Sequence, residues 1–130
     1  MKIYHFILLI AITVFYSCAH RKTDRVVERF PNKEVKTYQK VSTVQVCREN
    51  CRIVKAKRTR EEYYENGKLK SVEKTLTETT LDGQLRTAKN YSRFFDEKGK
   101  LTKKVNRNEF AGTTYLYENG KLVAKTSFDQ

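Results

Sequence analysis

The side chains best equipped for chemistry are three cysteines, one histidine close to one of them, and two carboxylate pairs. Cys47 and Cys51 lie in VQVCRENCRIV, with Arg48, Glu49 and Asn50 between them. Three residues of this kind suit a tight hairpin loop, in which Asn50 tolerates a left-handed conformation. Val44, Val46, Ile53 and Val54 flank it and are β-branched, as strands prefer. The pair reads as a disulfide stapling a hairpin tip, worth about 2 kcal/mol for so small a loop. Free thiols are the alternative, with redox or metal chemistry behind them. A redox pair usually has two intervening residues. A metal site would need further ligands, and the only nearby imidazole is His20.

Nothing in the remaining residues assembles an active site. Glu61–Glu62 and Asp96–Glu97 are neighbouring carboxylates, but both sit among Lys and Arg near strand ends or turns. There they read as solvated charges and not as a general acid/base couple. No nucleophile–base pair can be drawn, because His20 is the one histidine beyond the first 17 residues. The segment ENGKL is a turn and not a phosphate cradle. The expectation is a non-catalytic chain with no catalytic residue, metal ligand or cofactor.

Cys18 poses a separate question, since it directly follows the one long apolar run. Residues 6–16, FILLIAITVFY, follow the positive Lys2. A bilayer-spanning helix needs about 20 apolar residues, so this run is too short to span and suits the core of a signal peptide. Ser17 then supplies a small residue before Cys18. This arrangement resembles a bacterial lipoprotein signal of the relaxed Bacteroidetes type. It departs from the commonest pattern at Phe15, where Leu is usual, and at Tyr16, where a small residue is usual. An ordinary secretory signal cut elsewhere and an uncleaved anchor are the other readings. The resemblance implies a signal peptide over 1–17, a lipidated Cys18, and attachment to the membrane through that lipid. Residues 18–34 would then be the lipidated cysteine and a basic tether, HRKTDR, with the β domain over 35–130. The basic AHRK after the cysteine favours the periplasmic side of the outer membrane within the cell envelope. Export also places Cys47 and Cys51 in an oxidising compartment, which favours the disulfide.

The elements that must carry these residues are strands. YENGKL occurs twice, at 64–69 and at 117–122, with TLDGQL at 80–85 and FDEKGKL at 95–101. Gly67, Gly83, Gly99 and Gly120 are each followed two residues later by Leu, at steps of 16, 16 and 21. Asn-Gly, Asp-Gly and Lys-Gly permit positive φ where a chain reverses. Aromatics such as Tyr63, Phe95 and Tyr117 precede the turns. Across each hairpin they should meet the Leu on one face and build a thin aromatic–aliphatic core. The Thr- and Lys-rich arms fit strands with one wet face. Glu73 to Glu78 is the stretch most open to a helical reading. The expected fold is all-β, an antiparallel meander of six to eight strands made of repeated hairpins. Lys121 and Lys125 on the outermost strand would discourage edge pairing.

These units are similar to the MORN-variant repeats of bacterial proteins, some of them antitoxin components. FDEKGKLTKK is equally similar to a YD-type unit. The resemblance covers about residues 61–127 and lacks the glycine–tryptophan half of each MORN unit. It implies a binding surface, for lipid or protein, and no catalysis.

Composition limits the partners. The 130 residues carry 27 Lys and Arg against 15 Asp and Glu, a formal net charge of +12. Interleaved Tyr, Phe and Lys on a sheet can bind nucleic acid, but export argues against that partner. Anionic envelope polymers, headgroups or an acidic protein remain, beside the plainer reading that lysine solvates exposed strands. Two functions follow. One is an envelope lipoprotein presenting a basic antiparallel sheet to a protein or anionic component. The alternative is a membrane-anchored immunity or antitoxin-like inhibitor of a toxin.

Overall fold

A computed structural model describes residues 17–47, 51–80 and 82–129. Residues 1–16, and with them most of the expected signal segment, lie outside the described residues. So do the loop residues 48–50 and the side chains of Ser17, Cys18, Cys47 and Cys51.

Eight strands follow one another: β1 (Ser17–Arg29), β2 (Val35–Cys47), β3 (Cys51–Tyr63), β4 (Leu69–Thr79), β5 (Leu85–Phe95), β6 (Leu101–Asn108), β7 (Ala111–Glu118) and β8 (Lys121–Asp129). They form one open antiparallel sheet in chain order, with β1 and β8 as its edges. The described residues contain no helix. Glu73 to Glu78 is strand, inside β4. Thr75, Thr77 and Thr79 of β4, β-branched and stiff at χ1, favour the pleated backbone over a helix.

Four of the hairpins share one turn. Tyr64 donates its backbone N–H to Lys68 O at 2.8 Å, and Gly67 donates to Tyr64 O at 2.9 Å. The same two bonds recur at Phe30–Glu34, Thr80–Gln84 and Asp96–Lys100. This is a three-residue loop ending in a left-handed residue. Gly67, Gly83 and Gly99 fill that position with φ of 79°, 83° and 85°, and Lys33 fills it in the first hairpin with φ of 71°. Asn66 Oδ1 accepts from Lys68 N, and Asp96 Oδ1 accepts from both Lys98 N and Lys100 N, so side chains brace the turns.

The two copies of YENGKL fold differently. In the second, Asn119 and Gly120 both have positive φ, 51° and 79°, and Glu118 pairs directly with Lys121. That is a two-residue turn, one residue shorter than the loop over Glu65–Gly67. Neighbours decide between them. Tyr64 Oη donates to Phe95 O at 2.8 Å and Asn66 Nδ2 to Glu97 O, tying the first loop to the adjacent β5–β6 turn. The second copy closes the edge hairpin.

Three expectations need correction. The basic tether is strand: residues 20–25 lie within β1, paired with β2 from Ser17↔Cys47 to Arg29↔Val35. Its charged side chains suit an edge strand, where they discourage pairing with other chains. The aromatic–leucine pairs do form, as Tyr63↔Leu69, Phe95↔Leu101 and Tyr117↔Leu122. They build no core, however: no apolar residue is fully buried among the described residues, and Leu122 is 52 % exposed. The sheet therefore has two wet faces and not one, because all eight strands lie side by side and none folds over the others.

One close approach in the sheet involves Gly112, which lies outside the turn pattern. It pairs with Phe128, whose ring covers it so closely that a Cβ on Gly112 would stand 2.2 Å from Phe128 Cζ. Gly112→Ala should cost about 1–3 kcal/mol by forcing the ring aside. Adding Phe128→Ala should then make the alanine nearly neutral, a coupling that a urea-melt double-mutant cycle reads directly. The two turns give a second contrast. Asn119→Val should cost about 2 kcal/mol, because a β-branched residue resists positive φ. Asn66→Val, where φ is ordinary, should cost about 1 kcal/mol for the lost turn bond. Equal urea midpoints for the two variants would contradict the turn assignment.

Candidate functional site: a lysine–tyrosine face

Directly opposed residues in a sheet share a face, so the registers sort the charges. One cross-strand row runs Val72, Arg93, Lys104, Tyr115, Lys125 over β4 to β8. Beside it on the same face, two residues along each strand, runs Lys74, Tyr91, Asn106, Thr113, Ser127. The next row over β3 to β5 holds Lys57, Leu76 and Lys89.

The cations of this face rest on its tyrosines. Lys104 Nζ lies 5.2 Å from the Tyr115 ring centre and 5.7 Å from that of Tyr91. Lys125 lies 5.8 Å from Tyr115, and the Arg93 guanidinium lies 5.0 Å from Tyr91, whose hydroxyl also accepts from Arg93 Nε. On β2, Lys40 sits 5.3 Å from Tyr38. Each exposed contact contributes about 0.5–1 kcal/mol. Together they hold the positive charges against the sheet.

Two shallow hollows lie side by side here, each about 340 Å³. One is walled by Lys57, Lys74, Lys89 and Tyr91 around Leu76. The other shares Lys89 and Tyr91 and adds Thr113 and Asn106, whose enclosed Oδ1 has no hydrogen-bond partner among the described residues.

No carboxylate occupies either row from β5 to β8. On the same face Asp129 lies two residues beyond Ser127, Glu78 meets Lys55 at 2.9 Å, and Glu61 lies opposite Tyr38 and Val72. Glu61 accepts a hydrogen bond from Tyr63 Oη at 2.7 Å. That bond, followed by burial and by the Glu61 charge, pushes the Tyr63 phenol up to about 12.

The opposite face carries Arg58, Arg60, Lys103 and Arg107 against Glu62 and Glu73. Arg60 meets Glu62 at 3.2 Å, and Glu73 accepts from Asn90 at 2.7 Å. At the sheet end that carries the β4–β5 and β6–β7 turns, Arg86 meets Glu109 at 3.4 Å. In the β4–β5 turn, the Thr80 hydroxyl, backbone N–H groups and Arg86 hold Asp82 below the usual carboxylate range.

The cysteines belong to one end of the sheet. The backbone of Cys18 pairs with that of Val46, and Cys47 pairs with Cys51. Directly opposed residues have Cα atoms about 4.5–5.5 Å apart, within the span a disulfide bridges. Gly67 and Gly99 turn at the far end; Gly83 turns at the cysteine end. Among the described residues no group of three or more His, Cys, Asp or Glu is placed to hold a metal.

Comparison with known proteins adds one match. Residues 59–74 fit the MORN repeat variant family model. The chain carries MORN-like repeats. The matched unit is the end of β3, the Gly67 turn and the first half of β4, and the same turn geometry recurs at three other hairpins. No similar curated protein and no similar solved structure was found.

The sequence pattern located the turns of these MORN-like units but missed the grouping of cations with tyrosines on one face. The signal was present as parity: Lys89, Tyr91 and Arg93 alternate along β5, as do Tyr38 and Lys40 along β2.

Tyr63 gives this site a pH signature. A phenol held by the folded state near 12 against 10 in the unfolded chain contributes stability fully present below pH 10. That contribution is lost as pH rises from about 10 to about 12. Tyr63→Phe should therefore flatten the fall in stability across that window relative to the parent chain, in urea melts at stepped pH. An unchanged alkaline limb would contradict the Tyr63–Glu61 bond.

Proposed function

We propose that the protein is a non-catalytic envelope lipoprotein, held to the membrane by Cys18, that presents its lysine–tyrosine face to an anionic envelope component. The observation that carries this reading is the row of cations laid on tyrosine rings. That face sets Arg93, Lys104 and Lys125 in a row without a carboxylate from β5 to β8, each resting on Tyr91 or Tyr115. An unbalanced cationic surface concentrates anionic partners and raises their association rates.

Cys18 fits an anchoring role by position, since it lies near the start of an edge strand. A strand of 13 residues extends about 43 Å at 3.3 Å per residue, so the far turns would stand well clear of a headgroup layer. The Cys47–Cys51 disulfide would close the hairpin beside the anchor, where the register already opposes the two backbones.

Two variants test the reading. Cys18→Ser should move the protein from the membrane fraction to the soluble one. In that soluble form, Lys74, Lys89 and Lys104→Glu should abolish retention on washed envelope fragments at low salt. Charge reversal of Arg25, Arg58 and Arg107 on the other face should leave it nearly intact. Equal losses from the two triple variants would remove the basis for assigning the face.

A further inference from the structure

We infer that the lysine–tyrosine face takes a linear acidic polysaccharide lying across the strands, an inference that rests on the binding role proposed above. The first ground is the shape of the cationic track. From β8 to β2 the face offers Lys125, Lys104, Arg93, Lys74, Lys57 and Lys40, at least one cation on every strand except β7. β7 instead supplies Tyr115, which carries two of the lysines. At about 4.8 Å per strand this track runs roughly 29 Å across the sheet. A compact anion would use one hollow of it; an extended polymer would use all of it. Most of these cations are exposed, and the hollows beneath them are open and shallow.

The second ground is what lies beside the cations. From β6 to β8 the second row, Asn106, Thr113 and Ser127, is neutral and bears amide and hydroxyl groups only. A cationic row flanked by a neutral hydrogen-bonding row matches a polymer with both anions and hydroxyls along its length. Acidic polysaccharides have both; a bare polyphosphate has anions alone.

The third ground separates this partner from single-stranded nucleic acid, which binds such sheets by stacking bases on free aromatic faces. Here those faces are taken. Tyr115 stands between Lys104 and Lys125 in one row, and Tyr91 carries Arg93 and Lys104. A base could stack only by displacing two cations that the phosphates would need.

The test uses the full chain with Cys18→Ser and three probes at matched charge concentration: polygalacturonate, polyphosphate and a thymidine oligonucleotide. Polygalacturonate should bind most tightly and weaken by about tenfold or more between 50 and 200 mM salt. Lys74→Ala with Lys104→Ala should weaken it by about tenfold, whereas Arg25→Ala with Arg58→Ala should change it less than about twofold. Asn106→Ala with Thr113→Val should weaken polygalacturonate and leave polyphosphate unchanged, a split that mere loss of folding would not produce. Polyphosphate or oligonucleotide binding as tightly, or equal losses from both charge variants, would overturn the inference. If polygalacturonate fails while envelope fragments still bind through Lys74, Lys89 and Lys104, only the polysaccharide is wrong. If both fail, so does the binding role.

Discussion

A sheet with no second layer must hold together within its own plane. Eight strands lie side by side, and among the described residues only Thr37 and Gly112 are fully buried. The hydrophobic term that dominates most folds is correspondingly small here. What remains is the backbone ladder, at a net 0.5–1.5 kcal/mol or so per hydrogen bond, and cross-strand pairs of about 0.2–1 kcal/mol each. Neither reaches far from its own strand. The chain order β1 to β8 follows from this, since every strong contact is to the preceding or following hairpin arm. The turns matter for the same reason. They fix each register without help from a core, which explains their left-handed glycines and their Asn and Asp braces.

The same constraint governs the charges. With both faces wet, a lysine on either costs nothing in desolvation, so the sequence is free to place cations by use and not by burial. On the face that carries Glu62 and Glu73, Arg58, Arg60, Lys103 and Arg107 outnumber the carboxylates. On the face that carries Tyr91 and Tyr115, Lys55 meets Glu78, but Arg93, Lys104 and Lys125 rest on rings. A ring steadies a cation without neutralising it. The result is a flat array of fixed positive charges, a geometry suited to binding a surface or an extended polymer and poorly suited to enclosing a reactive centre.

Much of this was legible in the sequence, for local reasons. Glycine at a turn and leucine two residues on are short-range signals, and the all-β meander could be inferred from them. The same locality set the limit. YENGKL at 64–69 and at 117–122 could not be told apart, because the choice between a three- and a two-residue loop depends on Tyr64 and Asn66 reaching the neighbouring turn. The strand over Ser17–Arg29 was taken for a tether since it has few apolar residues, yet an edge strand in an open sheet needs none. The expectation of a thin core assumed that aromatic pairs imply burial, which holds only where something lies over them. The opposed faces emerged last, because a one-residue slip in any register would exchange them.

The single layer is the claim on which the rest stands, and its thickness tests it most directly. Small-angle X-ray scattering from the soluble Cys18→Ser chain, extrapolated to zero concentration, gives the thickness of a flat particle. One sheet with its side chains predicts about 10 Å, the spacing at which sheets stack. A thickness near 20 Å at the monomer mass would mean that the chain folds back into two layers. One face would then be covered, and the open array of cations would not exist in solution.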